Sequence, residues 1–149
     1  MMWKLVSAGY WVSKLRIIKR QWLIGKKVMN LVEEMEKTLK MEIRLTAEGG
    51  KYLEAVITLQ DLDVLNSLLR EYLGPATKVS GKEVYLPTKI QELVDSLGGL
   101  RIEQSFFYKQ DGTQVIYAAI WPWQSDPNRI TLKSGVSEVI PKTAGSLSN

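Results

Sequence analysis

The chain has 149 residues, about one domain at ~100–200 residues per domain, and its 45% hydrophobic content is enough for a folded core. It contains no Cys and no His, which excludes disulfides, thiol nucleophiles, His-based triads, and zinc or haem sites built on those side chains. The net charge of +4 is unevenly spread: seven basic residues and no acid fall in residues 1–28, against 13 basic and 16 acidic in the remainder, so a +7 arm precedes a body of −3.

Residues 1–40 read as a basic amphipathic helical arm. On a helical wheel, Trp11, Leu15, Ile18, Trp22, Met29 and Val32 form one stripe. Arg16, Lys19, Arg20, Lys26 and Lys27 gather beside it, and Ile17, Ile24 and Leu31 lie on the opposite flank. Such a helix suits an anionic membrane surface, a phosphate backbone or a partner's groove. The plainer alternative is packing on this protein's own sheet or on a twin subunit, with the lysines solvated. Met29, Met35 and Met41 are internal start candidates, which makes residues 1–28 a candidate upstream extension and places the first compact element near Met41. No apolar run reaches the ~18–20 residues of a membrane-spanning helix, and no secretory signal is evident, so the cytoplasm is the expected compartment.

From Met41 to Ala47 apolar and polar residues alternate, as they do from Tyr52 to Leu59, and both stretches read as strands. A three-residue loop, Glu48 to Gly50, places Gly50 at a left-handed bulge and pairs Leu45 with Leu53, Ile43 with Ala55 and Met41 with Ile57. A two-residue Gly-Gly turn would instead set Leu45 opposite Glu54. Asp61 is the expected N-cap of a helix that buries Leu62, Leu65, Leu68, Leu69, Tyr72 and Leu73 and stops at Gly74-Pro75. Residues 76–86 form a polar connector with room for a short strand at 84–86. Thr88 and Gln91 match a capping box for a second helix, which buries Ile90, Leu93, Val94 and Leu97 and ends at Gly98-Gly99.

Leu100–Lys109 and Thr113–Trp123 are the longest strand candidates, joined by Asp111-Gly112 as a two-residue turn. That register sets Phe106 opposite Tyr117, Tyr108 opposite Val115 and Ile102 opposite Trp121, giving one strongly aromatic face and one mixed face. Pro122 marks an edge, a bulge or the strand's exit, since it cannot donate to a ladder. Arg129–Lys133 is a short fifth strand, and the Ser/Gly-rich residues 134–149 read as a flexible polar tail. The expected fold is therefore a two-layer α+β domain over residues 41–133, ordered ββααβββ. Its antiparallel four- to five-stranded sheet carries helices on one face, and an N-terminal amphipathic helix precedes it.

No phosphate-binding glycine motif is present, and no cofactor-binding or metal-ligand pattern emerges. Asp61 and Asp63 read as helix-start charges, Ser105 has no His partner, and Glu103 reads as an ordinary ion-pair or surface residue. The feature above background is the aromatic face, Phe106, Tyr108, Tyr117, Trp121 and Trp123, which suits a ligand pocket, a protein interface or stacked single-stranded bases. Packing beneath the chain's own helices is the plainer alternative, and the arm helix, through Trp11, Leu15, Ile18 and Trp22, is a candidate lid. The leading expectation is a small non-enzymatic interaction or ligand-binding module that self-associates through the aromatic face and the N-terminal helix, as a homo-oligomer or with a protein partner. The alternatives are a nucleic-acid-associated protein using the basic arm, peripheral membrane contact, and an enzyme with a carboxylate, Lys or Tyr site.

Overall fold

The structure, a computed structural model, describes residues 23 and 25–139. Residues 25–38 form helix α1, followed by strands β1 (Glu42–Ala47) and β2 (Tyr52–Thr58), helices α2 (Leu62–Leu73) and α3 (Thr88–Leu97), and strands β3 (Ser105–Asp111), β4 (Gln114–Pro122) and β5 (Arg129–Glu138). The five strands make one antiparallel sheet in the order β1-β2-β5-β4-β3. The α+β class and the antiparallel sheet are thus as the sequence predicts.

The fifth strand departs most from expectation. It runs to Glu138 rather than Lys133 and lies at the centre, paired with β2 from Tyr52↔Gly135 to Thr58↔Arg129 and with β4 from Gln114↔Glu138 to Pro122↔Ile130. Residues 134–138 therefore belong to the sheet and not to a polar tail. The strand was legible only where Ile130 and Leu132 alternate with polar residues. Its second half, Ser134-Gly135-Val136-Ser137, is held by neighbours on both sides rather than by its own apolar content.

The first hairpin contains both candidate registers. Ile43 pairs with Ala55 as predicted, but Leu45 lies opposite Glu54, not Leu53. An irregularity between Ile43 and Leu45 joins the two halves, so Arg44 is the extra residue of a bulge. The cause lies at the turn, where Gly49 (φ 68°) and Gly50 (φ 72°) are both left-handed and Ala47 pairs with Tyr52.

The second hairpin is shifted by two residues from the predicted register: Phe106 faces Ala119, Tyr108 faces Tyr117, and Asp111 faces Gln114. The turn residues are Gly112 and Thr113. Gly112 has φ 62°, and among the described residues no non-glycine has positive φ, so the turn is the kind with glycine at its first central position. A two-residue shift preserves faces, so the predicted partition of β3 and β4 side chains survives. Leu100–Gln104, read as strand, is instead a turn closed by Gln104 N–H donating to the Arg101 carbonyl (3.1 Å). Pro122 is the last residue of β4, the strand-exit role.

The helices occupy both faces of the sheet, where one face was expected. On the first face α1 and α2 bury Leu31, Met35, Leu65, Leu69 and Leu73 against Phe107, Ile116, Ala118, Ile120, Ile130 and Leu132. On the second, α3 buries Ile90 and Val94 against Phe106, Val115, Tyr117 and Ala119. Full burial of each aliphatic side chain contributes about 1.5–3 kcal/mol. The wheel of the arm also rotates: the buried row is Val28, Leu31, Met35 and Leu39, whereas Met29 is 48% exposed. The first compact element thus lies upstream of Met41, since Leu31 and Met35 are core residues.

Two predicted caps are not formed. Asp61 makes no side-chain bond to its own helix; its Oδ2 accepts from the Lys40 N–H (3.0 Å), tying the start of α2 to the chain between α1 and β1. Pro87, not Thr88, stands at the N-cap of α3, and the Gln91 amide donates to Asp95 Oδ1 (2.9 Å). The connector forms no strand at 84–86. Lys78 bridges to Phe106 instead, with backbone bonds of 2.9–3.1 Å along the outer edge of β3.

Candidate binding groove

The aromatic face divides into two parts. Phe106 and Tyr117 are 0% and 4% exposed, and half-buried Tyr108 joins them beneath α3 with ring centroids 5.9 and 6.5 Å from that of Phe106. Burial raises the Tyr117 pKa, because the ionised phenolate loses its solvation there. These three side chains are core, and a ligand does not reach Phe106 or Tyr117. Their lid is α3; the described part of the arm helix packs on the other face of the sheet.

Trp121 and Trp123 lie beyond the lid. Both follow from the period of β4, which points them to the same face as Tyr117 and Ala119. Pro122 between them ends the strand, and the chain turns back through Asp126–Asn128, where the Asn128 N–H donates to Asp126 Oδ1 (3.1 Å). The Trp123 N–H donates to the Arg129 carbonyl (2.9 Å) and its indole Nε1 to Thr131 Oγ1 (2.8 Å). The Arg129 guanidinium sits 5.3 Å from the Trp123 ring centroid.

Lys133 fixes Trp121 from the neighbouring strand. Its Nζ is 3.9 Å from the Trp121 ring centroid, donates to the Leu97 carbonyl at the end of α3 (2.9 Å), and lies 3.8 Å from Glu54 Oε1. A cation there meets the negative end of the helix dipole as well as the indole face. Tyr52 Oη donates to the same Glu54 oxygen (3.0 Å), and burial together with Glu54 pushes the Tyr52 pKa up. Gly98 closes α3 in the left-handed region (φ 117°, ψ 7°), where its missing side chain makes room for the Trp121 ring. The Trp121 indole Nε1 is buried without a hydrogen-bond partner.

Between the end of α3 and these indoles runs an open groove of about 490 Å³, lined by Arg101, Gln104, Trp121, Pro122, Trp123 and Thr131, with Gly98, Gln124 and Ser125 at its margins. Arg101 is the one charged residue of that lining among the described residues. The Arg101 N–H donates to Gln104 Oε1 (2.7 Å), which fixes the turn that presents it.

Among the other predicted site residues, Trp11, Leu15, Ile18, Trp22, Arg16, Lys19 and Arg20 lie outside the described residues. Lys26 is exposed. Lys27 is half-buried against the side chain of Lys109 near Asp111, and burial with that second cation lowers its pKa to about 8. Among the described residues no cluster of three metal-ligating side chains occurs, and no helix is long and apolar enough to cross a membrane. Sequence reasoning missed Arg101, Arg129, Thr131 and Lys133. The signal for the last three was the polar row alternating with Ile130 and Leu132, but assigning that row to the aromatic face required knowing that β5 pairs with β4.

Comparison with known proteins yields no match: no family model, no curated protein and no solved structure aligns with this chain.

Proposed function

We propose that the protein is a small binding module whose ligand, a planar ring system bearing a negative charge, lies in the Trp121–Trp123 groove. The observation that carries this reading is the composition of the groove. Two indoles and a proline ring supply flat apolar surface, and Arg101 supplies a positive charge in the lining. Gln104, Gln124, Ser125 and Thr131 offer neutral polar groups along the same walls. Among the described residues the lining holds no pair of titratable side chains arranged for acid–base work, and its flat rings suit binding.

An open groove supports modest affinity. At about −0.3 kcal/mol per heavy atom, a ligand of ~20 heavy atoms gains about −6 kcal/mol, a Kd on the order of tens of µM. Calorimetric titration with adenosine 5′-monophosphate, adenosine and inorganic phosphate tests the reading. The monophosphate should bind more tightly than either half alone, and Arg101→Ala should weaken it roughly 10-fold or more, the magnitude of one charged hydrogen bond. Absence of binding at millimolar monophosphate, or an unchanged Kd in both Arg101→Ala and Trp123→Leu, would overturn it.

A second reading, association with a polyanion such as a nucleic acid, is favoured by one observation: Lys27 of α1 and Lys109 of β3 meet side chain to side chain. Asp111 offsets part of that repulsion and a phosphate adds to that offset, so retention on heparin should fall steeply with salt.

A further inference from the structure

We infer that β1 pairs antiparallel with β1 of a second copy of this chain, centred on Ile43, joining two five-stranded sheets edge to edge. The two edges of the sheet differ. At the start of β3 the connector covers the edge, with Phe106 N–H donating to the Lys78 carbonyl (3.0 Å) and the Thr77 and Lys78 N–H groups donating to the Phe106 carbonyl. Along β1 no such strap exists among the described residues, and all six residues are exposed, including Ile43 at 47% and Leu45 at 56%. An open edge of unpaired N–H and C=O groups is a template for a further strand.

The side chains select which strand. Glu42 and Arg44 form an ion pair within one strand (3.2 Å), with both side chains about half exposed. Antiparallel self-pairing centred on Ile43 sets Glu42 opposite the partner's Arg44 twice and Ile43 opposite the partner's Ile43. Moving the centre to Arg44 stacks the two guanidinium groups, and moving it to Leu45 leaves Arg44 facing Thr46. Cross-strand pairs of opposite charge stabilise a sheet, and like charges directly opposed destabilise it. The two charges therefore discourage an arbitrary strand while remaining complementary to their own copy. Self-association, expected from the sequence at the aromatic face and the N-terminal helix, moves in this reading to β1.

The chain has no cysteine, so a single introduced thiol reports the geometry directly. In the full chain, Ile43→Cys should oxidise to a disulfide-linked dimer, because the two copies of that position face each other across the pair. Leu45→Cys should not, because its two copies lie two residues to either side of the centre, roughly 14 Å apart, beyond the ~7 Å Cα limit of a disulfide. Light scattering across a concentration series gives the second arm. Arg44→Glu should raise the dimer dissociation constant at least 10-fold, and the reversed pair Glu42→Arg with Arg44→Glu should restore it, with circular dichroism confirming the fold of each. Equal cross-linking at positions 43 and 45, no cross-link at 43, or a monomer at high concentration would overturn the proposal.

Discussion

Replacing Gly98 by Ala perturbs the contact on which the second face of the sheet depends. Gly98 ends α3 at φ 117°, a conformation that costs an L-residue about 1–2 kcal/mol. A Cβ built there lies 2.8 Å from Cη2 and 3.4 Å from Cζ3 of Trp121, so the indole must shift by several tenths of an ångström. The ring has little freedom on its other side, since Lys133 Nζ sits 3.9 Å from its centroid and is itself bonded to the Leu97 carbonyl. Overpacking of this kind costs about 1–3 kcal/mol, and the smaller entropy of an unfolded Ala chain returns roughly 0.4–1 kcal/mol. The net expectation is a loss of about 2–3 kcal/mol, or a Tm lower by roughly 5–10 °C at the ~2–4 °C per kcal/mol of a chain this size. Urea unfolding followed by circular dichroism measures it. In a Trp121→Leu background the steric part disappears, so Gly98→Ala should cost only about 1 kcal/mol there, the backbone strain less the same entropy gain. A loss below about 0.5 kcal/mol in the wild-type background, or the same loss in both backgrounds, would refute the packing of Trp121 on the end of α3.

Two further substitutions probe charges inside the fold. Lys78 is 5% exposed and its ammonium donates to the Val79, Ile102 and Gln104 carbonyls (3.3, 3.0 and 2.7 Å), so Lys78→Met should cost roughly 2–4 kcal/mol by stranding those acceptors; chemical denaturation checks it, and an unchanged midpoint would show that the strap along β3 does not depend on them. Lys27 has its pKa lowered to about 8 from the ordinary 10.5, so its penalty on the folded state is full below about pH 8 and disappears as pH rises from there towards 10.5, where the unfolded chain also loses the proton. Lys27→Gln should accordingly raise Tm at pH 7 and give no advantage near pH 10.5, and a difference independent of pH would contradict the burial of Lys27 beside Lys109.

What the sequence reveals and what it conceals follow from the period of each element. The alternation in β3 and β4 fixes which side chains share a face even though the turn was displaced, because a two-residue shift leaves parity intact. Leu65, Leu69 and Leu73 repeat at helical spacing and are buried as that spacing requires. The placement of α3 was open for a physical reason. Val115 to Ile120 is apolar without a break, the pattern of a strand buried on both faces, yet helical spacing alone does not say which face each helix takes. The groove was half legible: Trp121 and Trp123 stand out in any reading, whereas Arg129 and Lys133 acquire meaning only once β5 lies beside β4, and Arg101 only once Leu100–Gln104 is a turn. Asp61 shows the limit of local rules, since its carboxylate binds a backbone N–H 21 residues away in place of its own helix.

The claim that the Trp121–Trp123 groove is the ligand site is tested most directly by the five indole N–H resonances of the ¹⁵N-labelled protein during titration with adenosine 5′-monophosphate. Trp121→Phe and Trp123→Phe assign two of them. The account predicts that these two shift and saturate together while those of Trp3, Trp11 and Trp22 stay in place. Stationary Trp121 and Trp123 signals at millimolar ligand, or shifts confined to the other three, would contradict it.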